Sequence, residues 1–274
     1  IKANAFFECS FLKTINIPDT VTYIGEHCFE GCTELSEVEL SNSLETLESA
    51  AFGNCPSLTT ITIPKSVTTA GQEYGFGQYN YGPFYNCQNL KTVILEEGLK
   101  EIPAELFAKC YGLENIEIPE GVTKIKANAF FECSSLKTIN ISNTVTYIGE
   151  HCFEGCTKLS EVELSNSLET LESAAFGSCP SLITITIPKS VTTAGQEYGF
   201  GQYDYGPFYN CQNLKTVVLE EGLKEIPAEL FAKCYGLENI EIPESVTKIK
   251  DNTFFECSSL KVINIPETIT DIGN

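Results

Sequence analysis

One short pattern recurs along the whole chain and sets what the chain can fold into. It reads Cys-x-x-Leu-x-x-Ile-x-Ile-Pro-x-x-Val-x-x-Ile-x-x-x-Ala-Phe-x-x, and its first full copy runs from Cys9 to Cys32, 23 residues on. Eleven cysteines keep this spacing, and two steps are 32 residues long because nine residues are inserted. Since such units pack on their neighbours in sequence, the pattern predicts one continuous solenoid over residues 1–274.

A longer period lies over the short one. Residues 1–124 match residues 125–248 at all but nine positions, and a partial third copy occupies 249–274. The chain opens and stops in mid-repeat, so we expect it to be an excerpt of a longer array without either cap.

Within each unit, side-chain alternation predicts a strand. In the first copy Ile15 and Ile17 should point into the core, while Thr14 and Asn16 face outward. Pro18 lacks a backbone N–H and should end the strand.

The rest of each unit returns the chain to the next strand. Val21 and Ile24 indicate a short second extended segment, and Ala-Phe-x-x-Cys indicates a helical turn. A period of this length with Leu-x-x-Ile-x-Ile is the leucine-rich-repeat pattern. We therefore predict a leucine-rich repeat solenoid of about eleven 23-residue coils, two of which carry the nine-residue insertion. A parallel β-sheet should form one face, with short extended segments and helical turns on the other.

The consensus, with Pro after the strand and Ala-Phe-x-x-Cys before the next Leu, resembles the BspA-like, or treponemal-type, leucine-rich repeats over the whole chain. This resemblance implies extracellular display at a cell surface, adhesion to host proteins or other cells, and no catalysis. It transfers no ligand-contacting residues, because the shared motif is the scaffold.

Composition narrows the classes of partner. Asp and Glu number 37 against 17 Lys, Arg is absent, and the net charge is −20. Phosphate backbones and anionic membranes would repel such a chain, so nucleic acid is not expected as a partner. No run of 18 apolar residues occurs, so no membrane insertion is expected either.

The 13 cysteines are predicted to be buried free thiols. A residue that occupies the same place in every coil should face inward, where a thiol packs and donates to a backbone carbonyl. Cys28 and Cys152 stand where other coils have Ala, so they are predicted core fillers. No metal site or cofactor is expected: His27 and His151 only adjoin these positions, and no calcium-binding loop motif is present.

The outward strand positions form one candidate binding surface, short-chained, polar and acidic. Paired Glu residues here could act as an acid–base pair, but a solvated strand face is the favoured interpretation, and no catalytic residue is assigned. The candidate sheet-face residues are Thr14, Asn16, Glu37, Glu39, Thr60, Thr62, Asn115, Glu117, Glu161 and Glu163.

The two insertions are the second candidate, within residues 70–83 and 194–207. Insertions in repeat arrays form loops on one face, and Tyr with Gly and Asn is typical of binding loops. Packing of the rings onto the solenoid is the open alternative. Five coils would put the two loops about 24 Å apart at the strand spacing. The candidate loop residues are Tyr74, Phe76, Tyr79, Tyr81, Tyr198, Phe200, Tyr203 and Tyr205.

The sequence therefore predicts a non-enzymatic adhesion scaffold that binds proteins or glycans of a host or neighbouring cell. The alternative is a structural stalk or filament that self-associates end to end, because near-identical copies extend reach without changing chemistry. Concentration-dependent polymers in light scattering would favour the stalk.

Overall fold

The computed structural model describes residues 1–71, 81–195 and 205–274. The chain winds through eleven coils, and each coil contributes one strand to each of two parallel sheets. No α-helix forms within these described ranges. The predicted leucine-rich repeat solenoid with about 23-residue coils is confirmed.

The first sheet contains the longer strands, which carry the Ile-x-Ile pattern. These are β1 (Thr14–Asn16), β3 (Glu37–Glu39), β5 (Thr60–Ile63), β7 (Thr92–Leu95), β9 (Asn115–Glu117), β11 (Thr138–Asn140), β13 (Glu161–Glu163), β15 (Thr184–Ile187), β17 (Thr216–Leu219), β19 (Asn239–Glu241) and β21 (Val262–Asn264).

The second sheet is built from two-residue strands, formed by the second extended segment of each coil. These are β2 (Tyr23–Ile24), β4 (Thr46–Leu47), β6 (Thr69–Ala70), β8 (Glu101–Ile102), β10 (Lys124–Ile125), β12 (Tyr147–Ile148), β14 (Thr170–Leu171), β16 (Thr193–Ala194), β18 (Glu225–Ile226), β20 (Lys248–Ile249) and β22 (Asp271–Ile272).

The insertions leave the register of the first sheet intact. Thr14 pairs with Glu37 in an ordinary step, and across the first insertion Thr60 pairs with Thr92. Backbone pairing in the first sheet is interrupted elsewhere, between β3 and β5, β7 and β9, and β13 and β15. The second sheet divides into β2–β4–β6, β8 to β16, and β18–β20–β22. Both divisions of the second sheet fall directly after the strand that precedes an insertion, so each insertion begins on the side of the second sheet.

A continuous stack of phenylalanine rings runs through the core. One Phe from each coil takes part, and neighbouring ring centroids are 4.9–6.2 Å apart with nearly parallel planes. Phe130 is fully buried, with centroid distances of 5.4 Å to Phe107 and 5.1 Å to Phe153. Stacked aromatic rings at this spacing add attraction beyond the area they bury.

The cysteine ladder lies beside this stack, as predicted. The Cys133 thiol donates to the Phe107 carbonyl of the preceding coil at 3.1 Å, and the Cys156 thiol donates to the Phe130 carbonyl at 3.3 Å. Burial raises the pKa of the Cys110 thiol well above the usual range, so this thiol is a poor nucleophile.

Four cysteines add detail to this prediction. Cys28 and Cys152 are fully buried among the core residues, which confirms them as core fillers. Cys9 is exposed and Cys257 is half-buried, so the prediction that all the thiols are buried holds for the other eleven.

The return segments are hydrogen-bonded turns without any helical continuation. The Cys133 amide donates to the Phe130 carbonyl at 3.1 Å, and the Phe131 amide donates to the Asn128 carbonyl at 3.0 Å. Asn128 (φ 56°) and Glu132 (φ 53°) take left-handed backbone conformations on either side of Phe130. Since a right-handed helix cannot include such residues, each predicted helical turn stays a single turn.

Candidate functional site

The predicted sheet-face residues do lie on the outer face of the first sheet. Thr14 and Asn16 flank the inward Ile15 and are exposed, and Glu37 and Glu39 do the same around Val38. Thr60, Thr62, Asn115, Glu117, Glu161 and Glu163 are likewise exposed. This places all ten residues on a solvent-facing surface.

An open groove of 490 Å³ crosses the carboxyl ends of β1, β3 and β5. Asn16, Glu39 and Thr62 of the predicted face line it, together with Asp19 and Glu96 from the following loops. Asn16 Nδ2 donates to Glu39 Oε2 at 2.7 Å. The sheet face therefore includes a concave, acidic region.

Several lysines lie at the other end of the first-sheet strands. Glu114 precedes β9 and lies between Lys91, at 3.1 Å, and Lys137, at 2.6 Å. Hydrogen bonds to the two ammonium groups lower the pKa of this exposed carboxyl to about 2. Among the described residues, no lysine forms an ion pair with Glu39, Asp19 or Glu96 of the groove.

Most of the predicted loop residues fall outside the described ranges. Tyr74, Phe76 and Tyr79 of the first insertion, and Tyr198, Phe200 and Tyr203 of the second, lie there. The structure describes Tyr81 and Tyr205, where each insertion rejoins the solenoid.

Tyr81 lies in an aromatic cluster with side chains from three successive coils. Its ring centroid is 4.1 Å from that of Tyr85, and the Tyr85 ring meets Tyr111 edge-on at 6.4 Å. The Lys109 ammonium lies 5.5 Å from the Tyr81 ring and 5.7 Å from the Phe131 ring. These five side chains, here called the first cluster, are half-buried and outside the buried core.

A second cluster repeats this arrangement 124 residues later. The Tyr centroid distances are 4.1 and 6.3 Å, and the lysine lies 5.1 and 5.8 Å from its two rings. None of the nine differences between the copies falls on a cluster residue. The second cluster consists of Tyr205, Tyr209, Lys233, Tyr235 and Phe255.

The insertion is fixed at both of its ends by the neighbouring coils. On the returning side, Ser49 Oγ donates to the Tyr81 carbonyl at 2.6 Å. At the leaving side, Gly71 has φ +64°, and a Cβ there would lie 2.5 Å from Oε2 of Glu105. Glu105 is a buried carboxyl group, so its side chain occupies the space beneath the start of the insertion.

The environment of the first cluster raises the pKa of two of its phenols. Burial and the nearby carboxylate of Glu132 raise the pKa of Tyr111 to about 12. Burial, Tyr81 and the charge of Glu30 raise the pKa of Tyr85. Both hydroxyls, which are protonated at physiological pH as ordinary phenols are, therefore remain hydrogen-bond donors at more alkaline pH as well.

This shift gives a testable pH dependence. Subtracting the phenol absorbance titration of Tyr111→Phe from that of the wild type should isolate one group with a midpoint near pH 12. Because the folded pKa is raised, the stabilisation of the neutral phenol is complete below about pH 10 and is lost as pH rises through the folded value. The same difference titration, repeated with both proteins unfolded in denaturant, should show a midpoint at about pH 10. A native midpoint of about 10 would contradict this environment.

Four members of the first cluster were not identified from the sequence: Tyr85, Lys109, Tyr111 and Phe131. They lie in turns, outside the insertion and outside the alternating strand pattern. Aligning the coils on their cysteines would have found two of them. Directly after the ladder cysteine, other coils have residues such as Ser10, Thr33 and Gln88, whereas this coil has Tyr111. Directly before the same cysteine, this coil has Lys109.

No metal-binding arrangement is evident in the described ranges. In them, no group of three or more His, Cys, Asp or Glu side chains is placed to hold an ion. The same residues contain no helix of the length and apolar character needed to cross a bilayer.

Comparison with known families identifies the repeat. The model of the BspA-type leucine-rich repeat region matches residues 1–81, 77–205 and 201–274. The chain belongs to this family. The matching model describes a BspA-type repeat region and indicates no enzyme. No sequence match to a curated protein was found.

Several solved structures are similar to this chain. A leucine-rich repeat protein from Bacteroides ovatus is 25% identical, with a TM-score of 0.53, over 100% of this chain and 78% of that one. The pneumococcal vaccine antigen PcpA is 24% identical, with a TM-score of 0.50; all of this chain aligns, to 65% of PcpA. A leucine-rich cell surface protein from Faecalibacterium prausnitzii is 24% identical, with a TM-score of 0.38, over 96% and 82%.

Proposed function

We propose that this chain is a non-enzymatic binding region displayed at a cell surface, which attaches to protein or glycan partners on other cells or on a host matrix. The observation that carries the proposal is the aromatic cluster beside each insertion. Its rings depart from the repeat consensus and lie outside the buried core, so the scaffold does not require them. Family membership supports a solenoid that presents side chains on its surface.

Two surfaces are available for this role. The clusters offer partly exposed rings, and their tyrosines combine an apolar ring with a polar hydroxyl, a combination common at binding sites. The groove at the ends of β1, β3 and β5 offers carboxylates without lysine partners in the described chain. We assign the main contact to the clusters, because both copies are identical there, whereas the groove position Asp19 becomes Asn143 in the second copy.

Surface binding of the protein to a panel of host matrix proteins and to glycan-bearing cells tests the proposal. We expect saturable binding that a tyrosine variant loses and that a sheet variant, Glu39→Gln with Glu163→Gln, retains. Absence of binding across the whole panel would overturn the proposed function. Loss of binding in the sheet variant alone would move the site to the strand face. The tyrosine variant replaces Tyr74, Tyr79, Tyr81, Tyr198, Tyr203 and Tyr205 with Ser.

A further inference from the structure

The first cluster is bordered by a row of side-chain amides on the same turns. Asn86 directly follows Tyr85, and its Nδ2 donates to Asn54 Oδ1 at 2.6 Å. Gln88 Nε2 in turn donates to Asn86 Oδ1 at 3.1 Å, and Gln88 is exposed. Aromatic rings, neutral phenols and amides therefore lie together on one surface.

This chemistry suits a neutral sugar. The C–H faces of a pyranose ring pack on aromatic rings, while its hydroxyls exchange hydrogen bonds with phenols and amides, each of which both donates and accepts. The raised pKa of Tyr111, caused by burial and by Glu132, keeps its phenol neutral.

Charge argues against ionic ligands at the same place. The net charge of −20 repels polyanions, and the chain has no Arg with which to clamp carboxylate or sulfate groups. A cationic group would find the faces of Tyr81 and Phe131 already covered by the Lys109 ammonium, at 5.5 and 5.7 Å. The carboxylates of Glu30 and Glu132, in turn, lie near the neighbouring phenols. An uncharged ligand needs no charged partner and fits this mixed surface.

The duplication indicates a ligand that repeats as well. Both clusters have the same residue types and nearly the same ring distances. Two of the three amides recur as Asn210 and Gln212, while Ser178 replaces Asn54 and its hydroxyl accepts the hydrogen bond from Asn210. The clusters are five coils apart, about 24 Å at the usual strand spacing. Two identical sites on one face are matched by a polymer of identical units, which can occupy both at once.

We infer that the two clusters bind a neutral polysaccharide, with rings and amides of each cluster holding successive stretches of one chain. This inference rests on the proposed function and names its partner class. Simultaneous occupation of two linked sites can strengthen binding about 100-fold or more over one site, without any new contact.

Affinity electrophoresis of the unmodified protein in native gels tests this inference. Gels containing dextran, mannan or galactan are compared with gels containing heparin. We expect retardation by at least one neutral polymer and none by heparin. No retardation by any neutral polymer, or retardation by heparin alone, would overturn the inference.

Variants then locate the binding. Tyr111→Ala alone should weaken binding to the polymer about 100-fold by removing avidity, and Tyr111→Ala with Tyr235→Ala should abolish the retardation. The matched control, Tyr23→Ala with Tyr147→Ala, changes a tyrosine pair of the second sheet with the same spacing and should migrate like the wild type. Retardation that survives the cluster double variant would overturn the inference.

A double variant of the amides distinguishes loss of binding from loss of folding. Gln88→Ala with Gln212→Ala changes exposed amides, so the melting temperature should stay the same while retardation weakens severalfold. Unchanged retardation would count against the amide row and the inference.

Protease-sensitive binding to host cells, combined with no polysaccharide binding, would overturn the inference and leave the proposed function standing. Failure of both binding assays would overturn both.

Discussion

Replacing Phe130 by Ala should lower the free energy of unfolding by about 3–5 kcal/mol, a large share of the stability of an ordinary domain. Phe130 is fully buried, and its ring lies between Phe107 and Phe153 at 5.4 and 5.1 Å. The substitution leaves a cavity and breaks two stacked contacts at once. Chemical denaturation followed by far-ultraviolet circular dichroism measures the effect.

The repeat architecture adds a second expected result. Because each coil packs only on its neighbours, a weak coil in the middle can uncouple the two halves of the array. We therefore expect the Phe130→Ala transition to broaden or to separate into two steps.

The adjacent residue supplies the control for this prediction. Phe131 has the same side chain but is half-buried in the first cluster, so Phe131→Ala should cost clearly less than Phe130→Ala. Equal losses in the two variants would contradict a dominant role for the ring stack.

Most of the fold could be predicted from the sequence, because equivalent positions in every coil have the same structural environment. Inward Ile15 and Ile17, the strand-ending Pro18 and the cysteine ladder all recur, so one physical argument applies to every coil. The turn conformation could not be predicted in the same way. Left-handed backbone at residues such as Glu132 costs about 1–2 kcal/mol and leaves no mark in composition, since packing between coils imposes it.

From the sequence, the candidate site could be predicted only where residues that depart from the repeat consensus are contiguous in the chain. The Tyr-rich insertion identified Tyr81, but Tyr85, Tyr111 and Phe131 come from turns of successive coils. Their proximity depends on the stacking register, which the first-sheet pairing of Thr60 with Thr92 preserves across the insertion. The groove is a similar case, because loop residues Asp19 and Glu96 meet there only after the coils stack.

The second large effect is expected at the point where the insertion rejoins the solenoid. A Cβ added to Gly82 would lie 2.3 Å from the Glu105 carbonyl oxygen and 2.7 Å from the Ala108 amide nitrogen. Both atoms belong to the backbone of the next coil, so no side chain can rotate away. Gly82→Ala must push two coils apart, and we expect a loss of about 3 kcal/mol, at the upper end for overpacked sites.

This substitution should also disturb the first cluster and leave the second in place. Tyr81 precedes Gly82, and Lys109 lies in the coil that would be displaced, so the contact between them should be lost. Binding through two clusters should then fall to the level of one, a drop of about 100-fold that matches Tyr111→Ala.

The chain provides its own control for a glycine substitution. Gly121 has room for a side chain, with the Lys100 ammonium nitrogen 4.0 Å from an added Cβ, but its φ of +94° lies in the left-handed region. The second copy has Ser245 at the equivalent position without a positive φ, so this turn also accepts Ser in another backbone conformation. Gly121→Ser should therefore cost at most the backbone strain, about 1–2 kcal/mol, and less than Gly82→Ala. If Gly82→Ala were equally mild, the close approach of the coil backbones would not limit this junction. The aromatic cluster would then owe its geometry to the side chains alone.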